Sequence, residues 1–373
     1  MPKPTRERLV PRAQRASRSR RRWLLLTALS LVAFIFVACG GDAPDNSKSP
    51  ADLPSDPVTS LGADDSSGAA AADGTSQIGP ASEGATLATD PLIFISPREI
   101  RQGESFVVAV DAPGAGFASV AFNGQILSLL REGSRFFTIL GVDALTPPGP
   151  LPLIVSVADS VGRPVVQRES LVTVTDAQWQ IEVIELDESN SDLLDPLIIA
   201  EDAAIRFPVQ QVETPERHWN DIFDPPSTGV ITSSYGFLRS YNQRAPEEYH
   251  SGLDFGAENG APVLAPNAGV IAWVGQTRRR GNGVLIDHGG GVFSGHYHMS
   301  EVFAEVGQVI NAGEFLGRVG ATGLATGPHL HWEIVVHGVT VDPVQWIRLL
   351  NFPDPLAEFD VSQAIQGPNQ LDR

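Results

Sequence analysis

The sequence predicts an all-β protein in two folded parts: an N-terminal β-sandwich, then an antiparallel β domain carrying one short C-terminal helix. Three observations carry the prediction. Between residues 91 and 175, β-forming runs recur at intervals of roughly 8–15 residues with turn signals between them. Between residues 230 and 350, glycine is dense and Val/Ile-rich runs alternate with it. Only one segment there reads as a helix, opening at Asp342-Pro343. Asp is a good N-cap and Pro suits the first helical position.

The chain has 373 residues. At roughly 150 residues per domain that is room for two or three units. The formal net charge is -18 and the isoelectric point about 4.8. Nucleic acid is excluded as a natural partner, because a phosphate backbone calls for clustered Lys and Arg. Charge is unevenly spread, with a net of +8 over residues 1–38 and -26 over the rest. The single cysteine, Cys39, excludes an intrachain disulfide framework and a thiolate zinc cluster.

Residues 1–38 read as an export signal. Arg12, Arg15, Arg18 and Arg20 to Arg22 form a basic flank, and Trp23 to Ala38 is an apolar run that ends on a small residue. That run of 16 residues falls short of the roughly 20 needed to span a bilayer. Phe36-Val37-Ala38-Cys39 resembles a bacterial lipobox. The resemblance implies that Cys39 becomes the lipidated first residue of a mature lipoprotein, anchored in the membrane with the rest of the chain outside the cytoplasm. The other reading of the run is an uncleaved anchor helix. Residues 39–90 are rich in Gly, Ala, Ser, Asp and Pro, with no aromatic residue between Gly40 and Leu92. Such a stretch buries too little apolar surface to offset chain entropy and reads as a disordered tether.

Residues 91–175 supply the sandwich. Leu92-Ile93-Phe94-Ile95, Ser105 to Val110, Ala118 to Phe122, Phe136 to Leu140, Leu151 to Val157 and Ser170 to Val174 read as strands. Asn123-Gly124 is a strong hairpin signal. About seven strands over this length suggest an immunoglobulin-like shape. The region holds no histidine and no cluster of catalytic groups, so it reads as a spacer or docking module. Residues 176–229 form a connector. Within it, Leu193 to Ile205 is expected to hold a short strand or turn, and Trp219 and Phe223 are expected to pack onto the next domain. In the domain at 230–350, Val270 to Val274, Val284 to Ile286, Val292 to Ser294 and Leu330 to Val336 read as strands. The helix from Asp342 is expected to run to about Leu350 with Trp346 inward, and residues 351–373 are a tail.

The chain's eight histidines are concentrated. None precedes His218, and six lie between His250 and His331. Imidazole is the commonest metal ligand and titrates near neutrality. Without usable cysteine, a zinc site draws on His with Asp or Glu. His250-Ser251-Gly252-Leu253-Asp254 has Gly252 at its centre, which disfavours a helix. His296-Tyr297-His298 and His329-Leu330-His331 are His-x-His pairs. On a strand, residues two apart share a face, so each pair is expected to aim two imidazoles into one cleft. A catalytic zinc takes three protein ligands and keeps one position open. The candidates exceed three, so some are expected to work on protons or on a developing oxyanion. Spacing alone does not say which.

Residues 231–345 resemble the lysostaphin/LytM-type zinc peptidases of family M23. The resemblance is carried by Ser233-Ser234-Tyr235-Gly236-Phe237-Leu238-Arg239, by His250-Ser251-Gly252-Leu253-Asp254-Phe255 and by Ala261-Pro262-Val263-Leu264-Ala265. Gly281 to Gly289, His298-Met299-Ser300, Thr322-Gly323 and Gly327-Pro328-His329-Leu330-His331-Trp332-Glu333 follow in order. The resemblance implies a LytM-type antiparallel β peptidase domain. It implies one zinc ion on His250, Asp254 and His331, with a water in the fourth position. It also implies His298 and His329 as free imidazoles, one taking the proton of the attacking water and the other serving the oxyanion or the leaving amine.

His296 stands where the family commonly has an aromatic residue, and a packing or supporting role is expected for it. Tyr241 is a candidate phenolic donor near the site. His288 is expected to be structural, and His218 and His337 to lie at the surface or in packing. Arg278-Arg279-Arg280 is read as a solvated turn at the cleft rim, or as a contact for the carboxylates of a bound peptide. Gly323 and Gly327 are expected at positive φ in the turn that delivers His329.

The expected function is that of an exported, lipid-anchored zinc endopeptidase hydrolysing peptide cross-links or stems of bacterial peptidoglycan. The rival reading is a non-catalytic wall-binding scaffold or an activator of other hydrolases. The complete set His250, Asp254, His331, His298 and His329 favours the enzyme.

Overall fold

The computed structural model describes Leu87 and residues 89–347, apart from Asn220, Asp221 and Glu247. The expected leader at 1–38, Cys39, almost all of the tether, the tail at 351–373 and the helix end at Leu350 lie outside the described residues.

Nine strands build the first folded part: β1 (Leu92–Ser96), β2 (Glu99–Arg101), β3 (Ser105–Asp111), β4 (Phe117–Phe122), β5 (Gln125–Ser128), β6 (Leu130–Glu132), β7 (Arg135–Gly141), β8 (Gly149–Ala158) and β9 (Pro164–Thr175). They form two sheets, ordered β1-β3-β7-β6 and β2-β9-β8-β4-β5. Period-two alternation places Ile93, Phe106, Val108, Val120, Val155 and Val172 between the sheets. The β4–β5 turn is the expected Asn123-Gly124, with φ of 45° and 83°. Both central residues of a type I′ hairpin turn need such values.

β3 departs from simple alternation, since all of Ser105 to Val110 is buried. Phe106, Val108 and Val110 face the partner sheet. Val107 and Ala109, with Phe137 and Ile139 of β7, belong instead to the core of the second folded part. A strand covered on both faces reads as a continuous apolar run.

The connector contains β10 (Ile181–Ile184), α1 (Glu188–Ser191) and α2 (Pro196–Gln210). The expected short strand or turn around 193–205 is therefore a helix of 15 residues. Its start is well specified: the Asp195 carboxylate accepts from the Leu197 amide at 2.8 Å, with Pro196 in the first turn. The apolar pattern hid it. Asp202 and Gln210 are buried beside Ile198 while Leu197, Ile205 and Phe207 are exposed, so the helix docks largely by polar side chains.

The remaining elements are β11 (Val230–Ser233), β12 (Leu238–Tyr241), β13 (Glu248–Tyr249), β14 (Leu253–Gly256), β15 (Pro262–Leu264), β16 (Gly269–Thr277), β17 (Gly281–Gly289), β18 (Val292–Val302), β19 (Val309–Ile310), β20 (Phe315–Val319), β21 (His329–Val336), β22 (Val339–Val341) and α3 (Pro343–Ile347). A ten-stranded antiparallel sheet runs β11-β14-β21-β18-β17-β16-β19, with β15, β20 and β22 attached. β12 pairs with β13 and, in parallel, with β10. The all-β expectation holds. α3 starts as read, with the Val344 amide donating to Asp342 Oδ1 at 2.9 Å and Trp346 fully buried.

The sandwich meets this sheet along a packed seam. Trp219, Phe223, Val341 and Trp346 share a core with Val107 and Phe137. Ser105 and Gln345 exchange hydrogen bonds at 2.7 and 3.0 Å. Among the described residues no helix is long and apolar enough to cross a membrane.

Candidate metal centre

β21 sets the site by alternation. Leu330, Trp332, Ile334 and Val336 enter the core, so His329, His331 and Glu333 take the opposite face. β14 does the same, with Leu253 and Phe255 in the core and Asp254 outward. Asp254 and His331 are paired across the two strands. His250 approaches from the segment before β14. Gly252 lies between His250 and Asp254, where a Cβ atom would stand 2.9 Å from the His331 ring, so only glycine leaves room.

Three donors converge. His250 Nε2 lies 2.9 Å from Asp254 Oδ1, and His331 Nδ1 lies 2.8 Å from the same oxygen. The two ring nitrogens are 2.9 Å apart. Their protons are fixed elsewhere. His250 Nδ1 faces the Ser234 carbonyl at 2.9 Å, and His331 Nε2 faces Glu333 Oε1 at 3.1 Å. Both partners accept only, so both outer nitrogens donate and the inner ones present lone pairs. Burial opposes the charge on Asp254, and the neighbouring His250 and His331 outweigh it, holding its carboxyl well below the usual range. Burial also pushes His250 down to about 4, so at neutral pH the ring is uncharged. Two neutral imidazoles and one carboxylate, aimed at one point with no proton between them, are the donor set of a divalent metal.

Beside them lie His298 and His329, with ring centroids 4.7 Å apart. His298 Nδ1 donates to the Thr322 carbonyl at 2.7 Å and His329 Nδ1 to the Gly327 carbonyl at 2.9 Å. Each ring keeps Nε2 as an acceptor, and that of His329 is 3.9 Å from Asp254 Oδ1. Burial, with His329 and His331 nearby, pushes His298 well below the usual imidazole range.

His298 reaches this face through an irregularity. Its φ is 62°, a left-handed value uncommon outside glycine, and the β17–β18 register shifts between Val284 and Asn282. As a result Tyr297 and His298 both lie toward the site, and Tyr297 stands opposite His331. His296 turns the other way, opposite Trp332, and neither of its ring nitrogens has a hydrogen-bond partner. The expected pairing of His296 with His298 in one cleft is therefore overturned, while His329 and His331 do share a face. Of the two glycines expected at positive φ, Gly323 has φ of 77° and Gly327 is not among the positive values.

The other expectations sort as follows. His288 bridges the Ala268 carbonyl at 2.6 Å and Ser294 Oγ at 2.7 Å, a structural placement. His337 is buried at the sandwich seam, 3.0 Å from Thr138 Oγ1, and His218 is half-buried. Tyr241 lines the cleft, with Arg279 Nη2 at 3.5 Å, and burial beside Glu248 pushes its phenol up. Of the three arginines only Arg278 resembles a solvated residue. Arg279 pairs with Glu248, and Arg280 pairs with Glu333 and Ser251. Neither is a solvated turn residue, and both line the cleft.

The cleft measures about 280 Å³ and α2 forms one wall. The sequence reading gave no role to several further site residues. Glu333 is fully buried beneath His331; burial opposes its charge, and Arg280 and Arg206 hold it well below the usual range. Its signal was the two-residue step from His331. Arg239 contacts Asp254 Oδ2 at 3.3 Å. Asp202 of α2 accepts from Thr277 Oγ1 and from the Arg279 and Arg280 amides.

Residues 248–343 match the sequence model of peptidase family M23. Over 114 residues the chain is 42% identical to the DD-carboxypeptidase/endopeptidase Mpg of Neisseria meningitidis, covering 31% of this chain and 26% of that protein. Over 126 residues it is 35% identical to the peptidoglycan DD-endopeptidase ShyA of Vibrio cholerae, covering 33% and 28%. A crystal structure from Pseudomonas aeruginosa described as a peptidase M23 aligns with 65% of this chain and 92% of its own, at 29% identity and a TM-score of 0.48. The chain spans about a quarter of the length of the curated relatives it matches.

Proposed function

We propose that this chain, which carries a peptidase domain of family M23 over residues 248–343, is a zinc-dependent endopeptidase that hydrolyses peptide cross-links or stems of bacterial peptidoglycan. The observation that carries the proposal is the convergence of His250, Asp254 and His331 with two further imidazoles alongside. On this reading those three residues hold a single zinc ion. Lewis acidity toward water and toward a peptide carbonyl is what zinc contributes when bound there.

The chain's own residues supply the rest. His298 and His329, each with Nδ1 committed to a carbonyl, offer Nε2 for proton work. One accepts the proton of the attacking water. That ring then passes the proton to the leaving amine, while the other, in its form protonated at Nε2, supports the developing oxyanion. Tyr241 keeps its proton and is available as a donor at the same cleft. Glu333 holds the His331 tautomer through Nε2, the usual arrangement behind a metal-binding imidazole.

The substrate class is supported by the names of the relatives, which act on peptidoglycan as DD-endopeptidase or DD-carboxypeptidase/endopeptidase. Peptidoglycan lies outside the cytoplasmic membrane, and the leader at 1–38 agrees with export. We place the enzyme in the envelope, held by a lipidated Cys39 on the tether at 39–90, with the sandwich as spacer.

The test is digestion of purified peptidoglycan by the chain lacking residues 1–38, with added zinc and with a chelator. Released fragments are read by mass spectrometry beside a His298→Ala control. Chelator-sensitive fragments missing from the control are expected, and their masses name the bond. A folded, zinc-loaded protein that releases nothing from several wall types would overturn the proposal.

A further inference from the structure

We propose that the connector at 176–229 completes the metal group: Glu182 of β10 and Arg206 of α2 are positioning residues for it, each acting through one relay side chain. The inference rests on the reading of His250, Asp254 and His331 as a metal group. It adds two residues that lie outside the matched span of 248–343.

The first relay runs to Asp254. Glu182 Oε2 pairs with Arg239 Nη1 at 2.6 Å and accepts from Ser233 Oγ at 2.9 Å. Arg239 Nη2 reaches Asp254 Oδ2 at 3.3 Å, the oxygen turned away from the two imidazoles. Arg239 thus fixes the rotation of the carboxylate and leaves Oδ1 for a metal. Glu182 divides the charge of Arg239. Without it the guanidinium draws on Asp254 alone and competes with a cation for its electrons. The same Ser233 hydroxyl lies 3.2 Å from His250 Nδ1, so this relay also borders a second donor of the group.

The second relay runs to His331. Arg206 Nη1 lies 3.3 Å from Glu333 Oε2 and 3.4 Å from Tyr297 Oη. Glu333 Oε1 accepts from His331 Nε2 at 3.1 Å and from Ser251 Oγ at 2.7 Å. Arg280 pairs with that same oxygen. Arg206 is therefore the group on the other oxygen. Without it the buried carboxylate is free to turn both oxygens to Arg280 and to release the His331 N–H. The tautomer that leaves Nδ1 unprotonated would then lose its anchor. Outer partners of this kind are worth about 10- to 100-fold in metal affinity.

α2 is held in register for this task. Its buried Asp202 accepts from the Arg279 and Arg280 amides at 3.0 Å, so helix and cleft rim are tied one turn before Arg206. This explains why, apart from Ile198, the side chains that the helix buries are polar.

The experiment uses the chain lacking residues 1–38 and measures zinc affinity by competition with a chelating indicator. Glu182→Gln and Arg206→Gln are each expected to weaken zinc binding by about 10- to 100-fold. Arg206→Lys, which keeps the charge, is expected to recover part of the loss. Ile198→Ala, a buried α2 position outside both relays, controls for loosened packing and is expected to keep wild-type affinity. Urea denaturation of the same samples confirms that each variant is folded.

Unchanged affinity in folded Glu182→Gln and Arg206→Gln overturns the inference. An equal loss in Ile198→Ala also overturns it, because the connector would then act through general stability. Wild-type protein that binds no zinc overturns this inference and the metal reading together. Wild-type protein that binds zinc but cuts no peptidoglycan overturns the proposed activity and leaves the relays standing.

Discussion

The two His-x-His segments share a spacing and differ in outcome. In His329-Leu330-His331 the backbone is a regular strand end, and both rings lie on the face opposite Leu330 and Trp332. In His296-Tyr297-His298 a left-handed residue interrupts the strand, and the two rings part company. One enters the core and the other joins the cleft. The difference teaches that alternation belongs to the backbone and not to the motif. A residue at φ of 62° costs energy, of the order of 1–3 kcal/mol for sparsely populated conformations, and such residues gather at functional sites. Here the irregularity puts two adjacent side chains on the site's side of the strand, Tyr297 buried against His331 and Arg206 and His298 in the cleft, where a flat strand would give one.

The largest effect that would test this contrast is at the regular pair. His331→Ala is expected to lose zinc and turnover together, read by metal analysis after dialysis and by the peptidoglycan digest. The bulged pair should split. His298→Ala is expected to keep zinc and lose turnover by about 10²- to 10⁴-fold, the usual scale of a proton-transfer group. Loss of zinc in that variant would make His298 a ligand and break the division of labour.

At the buried partner, His296→Leu is expected to keep both zinc and turnover. Its stability should change by less than about 1.5 kcal/mol, as for a swap of similar volume. The ring nitrogens it removes are unpartnered, so the change in urea midpoint should be small. A drop in metal content would return His296 to the cleft.

A further effect is a slope with pH. Burial pushes His288 down to about 4, His296 to about 3 and His337 to about 4. Their unfolded value is near 6.5, so below that pH the unfolded chain takes up protons that the folded chain refuses. The stability due to their neutral burial is complete above pH 6.5 and falls as pH drops toward 4. Urea midpoints at stepped pH should show this decline, and it should be shallower in His296→Leu. An identical slope in the variant would remove His296 from the account.

Much of the site was legible. The positions of His329 and His331 follow from strand alternation once Leu330 and Trp332 are assigned to the core, and that of Asp254 follows from Leu253 and Phe255; His250 lies off the strand and was legible only through the family resemblance. The side of His298 was not legible, because nothing in His296-Tyr297-His298 announces a positive φ. Two helix starts show the same limit. Asp342-Pro343 and Asp195-Pro196 are equivalent cap signals, yet only the first was read as a helix. After Asp342 the inward residue is Trp346, an apolar one. After Asp195 the inward residues are Ile198, Asp202, Arg206 and Gln210, one apolar residue among four, so the hydrophobic pattern does not show the helix. The residues that support the metal group from this connector, Glu182 and Arg206, were invisible for the same reason. Their partners lie on strands 50 or more positions away.

The double burial of β3 also bears on how this protein can be divided for study. A fragment trimmed to the matched span of 248–343 would leave Trp219, Phe223 and Trp346 behind, and it would strip Val107, Ala109, Phe137 and Ile139 from Val341. The cut face would be a contiguous greasy surface. Such fragments should come out of expression as aggregates. The useful shortest piece is the one that begins ahead of β1, so the unit that can be handled at the bench is more than twice the length of the unit that similarity outlines.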